Sequence, residues 1–174
     1  MPTTTISGLF YRIVFTEFAA SVLEGVRNPE GRYHHDGEPA IYLSPTPEWA
    51  AMAIDTYLRP GDAPRVIVPL RVADARICDL RDATTCAELD IDPEWPSVPW
   101  QPERAAGKPA TSWRASDAVR RQGADGMIYR ARSYPDRWHL VLFRWNTEAT
   151  IARVSPEGAP SAWSPVGSPK VPSA

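Results

Sequence analysis

The first 60 residues contain side chains that could recognise a negatively charged ligand. Arg12 interrupts an otherwise aromatic and aliphatic run over 9–15, and a polar loop over 31–37 leads into the apolar segment 40–44. A Ser-Pro-Thr-Pro joint follows, and then a predicted helix over 47–58. Binding and catalytic side chains tend to lie on loops held by rigid elements. This arrangement therefore predicts a functional site.

Arginine is the cation that this sequence favours, since Lys108 and Lys170 are its only lysines. A planar guanidinium binds carboxylate or phosphate through two parallel hydrogen bonds, which suits an anion site. A coding bias toward arginine would give the same ratio. For Arg12 two interpretations stay open: its head reaches the surface from an edge strand, or it points into an anion site.

The adjacent histidines His34 and His35 argue against a metal site. In a strand they point to opposite faces and in a helix they diverge, so joint ligation by the pair is disfavoured. We expect no metal. A loop that hydrogen-bonds a polar ligand, or a solvated turn at Asp36-Gly37, accounts for both side chains.

The composition indicates one globular domain, since 174 residues with 43% apolar content can bury one sizeable core. We predict a domain over 1–154 and a mobile Pro/Ser-rich tail over 155–174. The net charge of −2 and the lack of a basic run argue against direct binding of nucleic acid. No signal peptide and no apolar run of about 18 residues is apparent, so we expect no membrane association and a cytoplasmic protein, with Cys78 and Cys86 as reduced thiols.

Apolar periodicity and turn signals predict a mixed set of elements. They are a strand over 9–15, a helix over 17–26, a strand over 40–44, a helix over 47–58, strands over 65–72 and 77–80, a helix over 116–123, strands over 126–129 and 138–145, and a last strand near 150–154. Five prolines within 82–109 predict an ordered surface excursion without regular structure over most of its length. The fold class is therefore α+β, with a curved mixed sheet and few short helices.

In this order the segments resemble the RES domain, the toxin half of many bacterial toxin–antitoxin pairs. The resemblance covers roughly 8–146 and rests on these segments: Tyr11-Arg12; Gly31-Arg32-Tyr33; Ala40-Ile41-Tyr42-Leu43-Ser44 and the helix after it; 65–72; 116–123; Gly126-Met127-Ile128-Tyr129; and Leu140-Val141-Leu142-Phe143. It implies an ADP-ribosyltransferase-like fold and an activity on NAD+, either degradation or transfer of ADP-ribose. It also implies a partner, an antitoxin with an Xre-type helix-turn-helix.

The resemblance also implies roles for individual residues. Arg32 and Tyr42 match catalytic positions, and NAD+ would contact Arg12, Arg32, Tyr33, Tyr42 and Ser44. Cleavage of the nicotinamide–ribose bond passes through an oxocarbenium-like state. Arginines would hold the pyrophosphate and the tyrosine ring would stack on the nicotinamide, usually with a carboxylate near the ribose.

Two positions depart from the family pattern. The family's glutamate falls on Ala53, and its serine falls near Ala131, with Ser133 two residues later. Asp55 lies about 200° around a helix from Ala53 and cannot replace that carboxylate. Asp36 or Glu38, in the loop before Tyr42, or Ser133 after a small shift, are candidate substitutes.

Three interpretations therefore stay open. The chain is an NAD+-consuming toxin, or a RES-like binding module without turnover, or an α+β domain with an unrelated ligand in which Arg12 and Arg32 are surface groups.

Overall fold

The computed structural model describes residues 2–165. In chain order the elements are β1 Thr4–Phe15, a 3-10 segment Thr16–Glu24, β2 Ile41–Leu43, α1 Pro47–Ile54, a 3-10 turn Asp55–Tyr57, β3 Arg65–Asp79, α2 Ala83–Glu88, a 3-10 turn Trp95–Ser97, α3 Trp100–Ala105, α4 Thr111–Arg121, β4 Gly126–Arg130, β5 Trp138–Leu142, β6 Arg153–Pro156 and β7 Ser161–Trp163. The α+β prediction, a mixed sheet with few short helices, is confirmed. In this part of the chain no helix is long and apolar enough to span a membrane.

The strands form one curled sheet. Its order is β1-β3-β4-β5-β2, with β6 and β7 also paired to β3; β3 and β4 are parallel and the other pairs are antiparallel. β1 and β2 stand at opposite ends of this order, yet Tyr11 and Ser44 exchange backbone hydrogen bonds of 2.7 and 2.9 Å. The sheet therefore closes on itself and brings the segments around Arg12 and Tyr42 side by side.

Apolar side chains fill both faces of β4 and β5. Ile128 and Leu140 pack into one core, whereas Met127 and Val141 pack into a second core that α4 covers with Val119. Successive strand residues point to opposite faces, so a continuous apolar run indicates a strand buried on both sides. The predicted strand over 126–129 is therefore a central strand.

The start of α1 follows the predicted capping pattern. Thr46 caps it, since its hydroxyl accepts the Trp49 N–H at 3.1 Å, and Pro47 is the first helical residue. The helix ends at Ile54, and the 3-10 turn Asp55–Tyr57 completes the segment predicted as one helix.

Two predictions near the N-terminus and in β3 need correction. The segment predicted as a helix over 17–26 is a 3-10 segment that ends at Glu24 and is followed by Gly25 as C-cap, whose φ is 81°. The strands predicted over 65–72 and 77–80 are one strand, β3. Asp74 adopts a φ of 56° there, opposite a register shift in β1, and its N–H donates to Ser7 Oγ at 2.9 Å. The break read from the sequence is a β-bulge, because aspartate tolerates the left-handed region.

The proline-rich segment 82–109 is ordered, but it contains two helices that were not predicted. Pro102 lies in the first turn of α3, where its missing N–H would have no partner in any case. The segment also reaches below the surface: Leu89, Ile91 and Pro96 are buried. Pro96 and Pro102 lie in the first turns of their elements, so these prolines are compatible with helical structure, whereas α2 begins at the Asp82 cap without a proline.

Helix α4 begins five residues before the predicted Ser116, which is buried inside it. Its start is held by Glu103, which accepts the N–H and the hydroxyl of Thr111 at 2.8 and 2.6 Å. This acceptor lies outside the local capping window, so the sequence pattern could not reveal it. Strand β5, predicted over 138–145, ends at Leu142 because the next two N–H groups turn to the Asp125 carbonyl.

The prediction of a mobile tail from residue 155 is wrong for 155–163. Residues 155 and 156 belong to β6, which lies later than the strand predicted near 150–154, and β7 pairs with the start of β3 through Arg65 and Trp163. Glu157 also binds Arg71 with both oxygens, at 2.8 and 3.0 Å. β3 has 15 residues and β4 pairs only with its end, so an unpaired edge remains that these short strands fill. Residues 166–174 of the predicted tail lie outside the described part of the chain.

Candidate functional site

A cleft of about 1550 Å³ lies where β1, the end of β2, α1 and the loop before β2 meet. Arg12, Arg32, Tyr42 and Ser44 all line it. The closure of the sheet at Tyr11 and Ser44 explains how residues from distant parts of the chain reach one cavity. Its volume exceeds the range of about 300–1,000 Å³ that is usual for small-molecule sites, so a large ligand would fit.

Arg12 is a cation without an anion. Its Nε is buried and makes no hydrogen bond within residues 2–165, and its one polar contact is a long one of 3.5 Å from Nη1 to the Tyr42 carbonyl. Burial lowers the pKa of Arg12 to about 10, only partly offset by Tyr42. A buried guanidinium is unfavourable unless an anion reaches it. Arg12 therefore favours an anionic ligand.

Arg32 is fixed in place by neutral groups. Its Nε and Nη2 donate to the Pro96 carbonyl at 3.2 and 2.9 Å, and its guanidinium lies 5.0 Å from the ring centres of Tyr33 and Tyr129. In the described chain no carboxylate lies within ion-pair distance of it. The guanidinium is thus oriented while its charge stays uncompensated.

Tyr33 does not line the cleft, which corrects its prediction as an NAD+ contact. Its side chain is fully buried, its hydroxyl donates to the Pro96 carbonyl at 2.8 Å, and its ring stacks beside Tyr42. Tyr33 supports the cleft from behind.

Tyr42 lines the cleft, but its hydroxyl is used internally. The hydroxyl oxygen accepts the Tyr33 N–H at 2.9 Å and lies 2.8 Å from His34 Nδ1. His34 Nε2 lies 3.0 Å from the Asn28 carbonyl, which can only accept, so Nε2 carries hydrogen. Burial lowers the pKa of His34, so the ring is neutral and Nδ1 accepts the Tyr42 hydroxyl hydrogen. Tyr42 therefore offers a ligand its ring face.

Ser44 is buried at the end of β2, and its hydroxyl lies 2.8 Å from His139 Nδ1. His139 also lines the cleft. Burial lowers its pKa to about 4, and the charge of Arg32 adds to this effect. A neutral imidazole therefore stands in the cleft at neutral pH. We call Arg12, Arg32, Tyr42, Ser44 and His139 the cleft cluster.

The residues onto which sequence spacing predicts the family's glutamate and serine, Ala53 and the segment near Ala131, line the cleft. Ala53 is exposed there, so it is not a core residue, and Ala131 and Ser133 lie in the segment after β4. The cleft-lining carboxylates are Glu30, Glu48 and Asp55. Glu30 forms a bidentate ion pair with Arg104, with N–O distances of 2.9 and 3.0 Å.

Asp36 and Glu38, the substitutes considered for that glutamate, lie in a different group. This loop–helix cluster consists of His35, Asp36, Glu38, Asp117 and Arg120, and none of its members lines the cleft. His35 contacts Asp36 at 2.8 Å and Asp117 at 3.0 Å. Glu38 and Asp117 also face Arg120, at 3.1 and 3.6 Å.

His35, Glu38 and Asp117 have ligand atoms within 4.8 Å of one another, a set of types that metals use. Arg120 already supplies positive charge to both carboxylates, so ion pairing accounts for the cluster. His34 and His35 point to different partners, as their adjacency predicts.

Sequence reasoning missed His139, Tyr129 and Pro96. His139 gave one signal, a polar residue in the apolar strand Trp138–Leu142. Pro96 acts through its carbonyl, and a backbone acceptor leaves no signature in residue type.

The cleft thus combines two uncompensated guanidinium groups, a tyrosine ring and a neutral histidine. Such a set can bind a phosphate-bearing ligand with an aromatic ring. The residues present fit the anionic and aromatic parts of NAD+, whereas the family's carboxylate position holds alanine.

A profile of the family described as RES domain matches residues 8–164. Among solved structures, the chain is similar to the MbcT toxin in the crystal structure of the M. tuberculosis MbcT–MbcA toxin–antitoxin complex. The two chains are 15% identical with a TM-score of 0.64, and the match covers 92% of this chain and 86% of the other. No curated protein sequence matches the chain.

Proposed function

Because the chain belongs to the RES domain family, we propose that its cleft binds NAD+ and that the protein is the toxin of a toxin–antitoxin pair. The activity proposed is cleavage of the nicotinamide–ribose bond, with water or a protein side chain as acceptor. The observation that supports this best is Arg12, a half-buried cation with an enclosed, unpartnered Nε at the edge of a large cleft.

Both arginines would bind the same part of the ligand. Arg12 and Arg32 would hold the pyrophosphate oxygens, where charge-assisted hydrogen bonds are strong. The ring of Tyr42, held by His34 and Tyr33, would stack on the nicotinamide. Arg32 is pre-oriented by Pro96, so little side-chain freedom would be lost on binding.

The partner proposed is an antitoxin of the Xre type, as the family resemblance implies. The support is that MbcT is found in a complex with the antitoxin MbcA. Coexpression with the product of the adjacent gene would test this partnership.

The decisive experiment measures nicotinamide release and NAD+ affinity on the same protein. Arg32→Ala should weaken NAD+ binding by about 1.5–3 kcal/mol, the range for a hydrogen bond to a charged group. Arg71→Ala is the matched control, since Arg71 is exposed and pairs with Glu157 outside the cleft. Equal affinities for Arg32→Ala and wild type, with both folded, would contradict the site; no binding at all by wild type would end the NAD+ proposal.

A binding module without turnover is the second candidate, and Ala53 is the observation in its favour. An exposed alanine faces the cleft where the family has a carboxylate. Wild-type protein that binds NAD+ without releasing nicotinamide would establish this alternative.

A further inference from the structure

A row of polar side chains crosses four strands at the cleft. Tyr11 in β1 bridges to Ser44 at the end of β2. The register of β2 and β5, in which Leu43 faces Leu140, sets Ser44 opposite His139. His139 in turn faces Tyr129 in β4. All four residues line the cleft, and the backbone ladder fixes their order.

Within this row, Ser44 and His139 form a buried pair, with 3% and 5% of their surfaces exposed. The Ser44 hydroxyl lies 2.8 Å from Nδ1, and the imidazole tilts against the Tyr129 ring at 5.7 Å. His34 uses both ring nitrogens, on Tyr42 and Asn28. His139 differs, since in the described residues its Nε2 makes no hydrogen bond.

This nitrogen is not enclosed, since the enclosed side-chain atoms without partners in the described residues are Arg12 Nε and Arg120 Nη1 and Nη2, so Nε2 is accessible from the cleft. A histidine that is held by a serine through one nitrogen, lines a cleft and leaves the other nitrogen unpaired is oriented for a ligand or a reacting group. By spacing, the family's glutamate falls on Ala53 and its serine falls near Ala131, and neither alanine can accept a proton.

We propose that Ser44 and His139 form the proton-accepting pair of this cleft, with His139 Nε2 taking the proton of the water that attacks the anomeric carbon of NAD+. The proposal rests on the NAD+-cleaving function proposed above. It assigns His139 as a catalytic residue and Ser44 as a positioning residue.

The bond between the anomeric carbon and the nicotinamide nitrogen breaks, and its electron pair stays on nicotinamide, which becomes neutral. The water oxygen bonds to the anomeric carbon and its proton moves to Nε2. The imidazolium then releases that proton to solvent, so NAD+ and water give nicotinamide, ADP-ribose and a proton.

This role requires the tautomer with hydrogen on Nδ1, whose N–H donates to Ser44 Oγ and leaves the Nε2 lone pair free. Burial and Arg32 lower the pKa of His139 to about 4, so the ring stays unprotonated at neutral pH with a basicity near that of a carboxylate. Unlike a carboxylate, it supplies no negative charge to the oxocarbenium-like state. The expected turnover is therefore slow.

The test compares nicotinamide release at saturating NAD+ with NAD+ affinity measured by calorimetry. His139→Gln should lower kcat by about 100-fold, the range for general base catalysis, while Kd changes less than about threefold. Ser44→Ala should lower kcat by about tenfold, as for loss of an orienting partner. His35→Gln is the matched control, since this histidine lies outside the cleft. Added imidazole should restore part of the rate to His139→Ala, which a purely structural role would not allow.

The outcomes separate the two proposals. Wild-type kcat in a folded His139→Gln variant overturns the proton-accepting pair and leaves the proposed function standing. Wild type that binds NAD+ but releases no nicotinamide overturns the pair and favours the binding module, and absence of binding overturns both. If the variants do not fold, ¹⁵N spectra of wild type decide: hydrogen on Nδ1 and a resonance shift with NAD+ support the pair, and hydrogen on Nε2 overturns it.

Discussion

The loop over 31–38 supplies polar side chains to two clusters that differ in how their charges are compensated. Arg32 belongs to the cleft cluster, whereas His35, Asp36 and Glu38 belong to the loop–helix cluster. In the loop–helix cluster three carboxylates face His35 and Arg120 at 2.8 to 3.6 Å. In the cleft cluster two guanidinium groups face carbonyl oxygens and aromatic rings.

The difference indicates which cluster serves folding and which serves a ligand. The charges of the loop–helix cluster compensate each other within the chain, although Arg120 Nη1 and Nη2 are buried there without a hydrogen bond. An enclosed cation without a counter-charge lowers stability unless something outside the chain supplies the anion. The same loop thus anchors itself to α4 through one set of residues and presents another set to the cleft.

The largest effect is expected when a carboxylate is added to the cleft at Ala53. Ala53→Glu should raise the rate of nicotinamide release by about 100-fold, because a carboxylate beside the ribose stabilises positive charge at the anomeric carbon. The side chain is exposed, so the free energy of unfolding should change by less than about 0.5 kcal/mol.

Ala53→Gln is the control, since it has the same size without the charge and should leave the rate near that of wild type. An unchanged rate in folded Ala53→Glu would show that position 53 does not lie beside the reacting carbon. A wild type that is already fast would show that another group suffices.

The second prediction exchanges one arginine in each cluster for methionine, which keeps length and removes charge. Arg120→Met should lower the free energy of unfolding by about 2 kcal/mol, because Glu38 and Asp117 lose their cation and the contact with the Phe143 ring, 3.8 Å from the guanidinium, is altered. Arg12→Met should raise it by about 1 kcal/mol, since a desolvated charge without a partner is removed.

Urea unfolding at pH 7 without NAD+ measures both changes. Calorimetry should show weaker NAD+ binding for Arg12→Met and wild-type affinity for Arg120→Met. Destabilisation by Arg12→Met would mean that the guanidinium is satisfied within the chain, and the contrast between the clusters would be lost.

Much of the fold could be predicted because its signals are local. Strand periodicity gave β4 and β5, and the Thr-Pro pair gave the start of α1. The remaining elements depend on distant partners. Glu103 holds the start of α4, and the free edge of β3 recruits β6 and β7 from a segment whose Pro/Ser composition predicts mobility.

The candidate site could be predicted only in part, for the same reason. Arg12, Arg32, Tyr42 and Ser44 line one cleft as expected, but Tyr33 lies behind it. The orientation of each residue depends on the register of β2 with β5 and on carbonyl groups such as that of Pro96. Neither leaves a trace in the residue types nearby, which is why His139 was missed.

The smallest predicted effect is on the pH dependence of stability, where the clusters should differ in sign. Burial alone lowers the pKa of His35, but hydrogen bonds to Asp117 and Asp36 and the charges of Asp117 and Glu38 outweigh it, so the pKa is raised. Its contribution to stability is full below its unfolded pKa near 6.5 and is lost as pH rises through the folded pKa. The lowered pKa of His139 has the opposite effect, since between pH 6.5 and about 4 the ring is protonated in the unfolded chain but not in the folded one.

Stability due to His139 should therefore be full above pH 6.5 and decline toward pH 4, by about 1 kcal/mol per pH unit near pH 6. Urea unfolding from pH 5 to 8 should show a flatter acid limb for His139→Gln than for wild type. The free energy of unfolding of His35→Gln should instead rise more steeply with pH, because the variant lacks the stabilisation by charged His35 that wild type loses as pH rises. His34 also has a lowered pKa and is present in both variants, so it cancels in their comparison. Slopes of the same sign for the two histidines would mean that the loop–helix carboxylates do not hold His35 in its charged form, and the separation of the clusters by charge would fail.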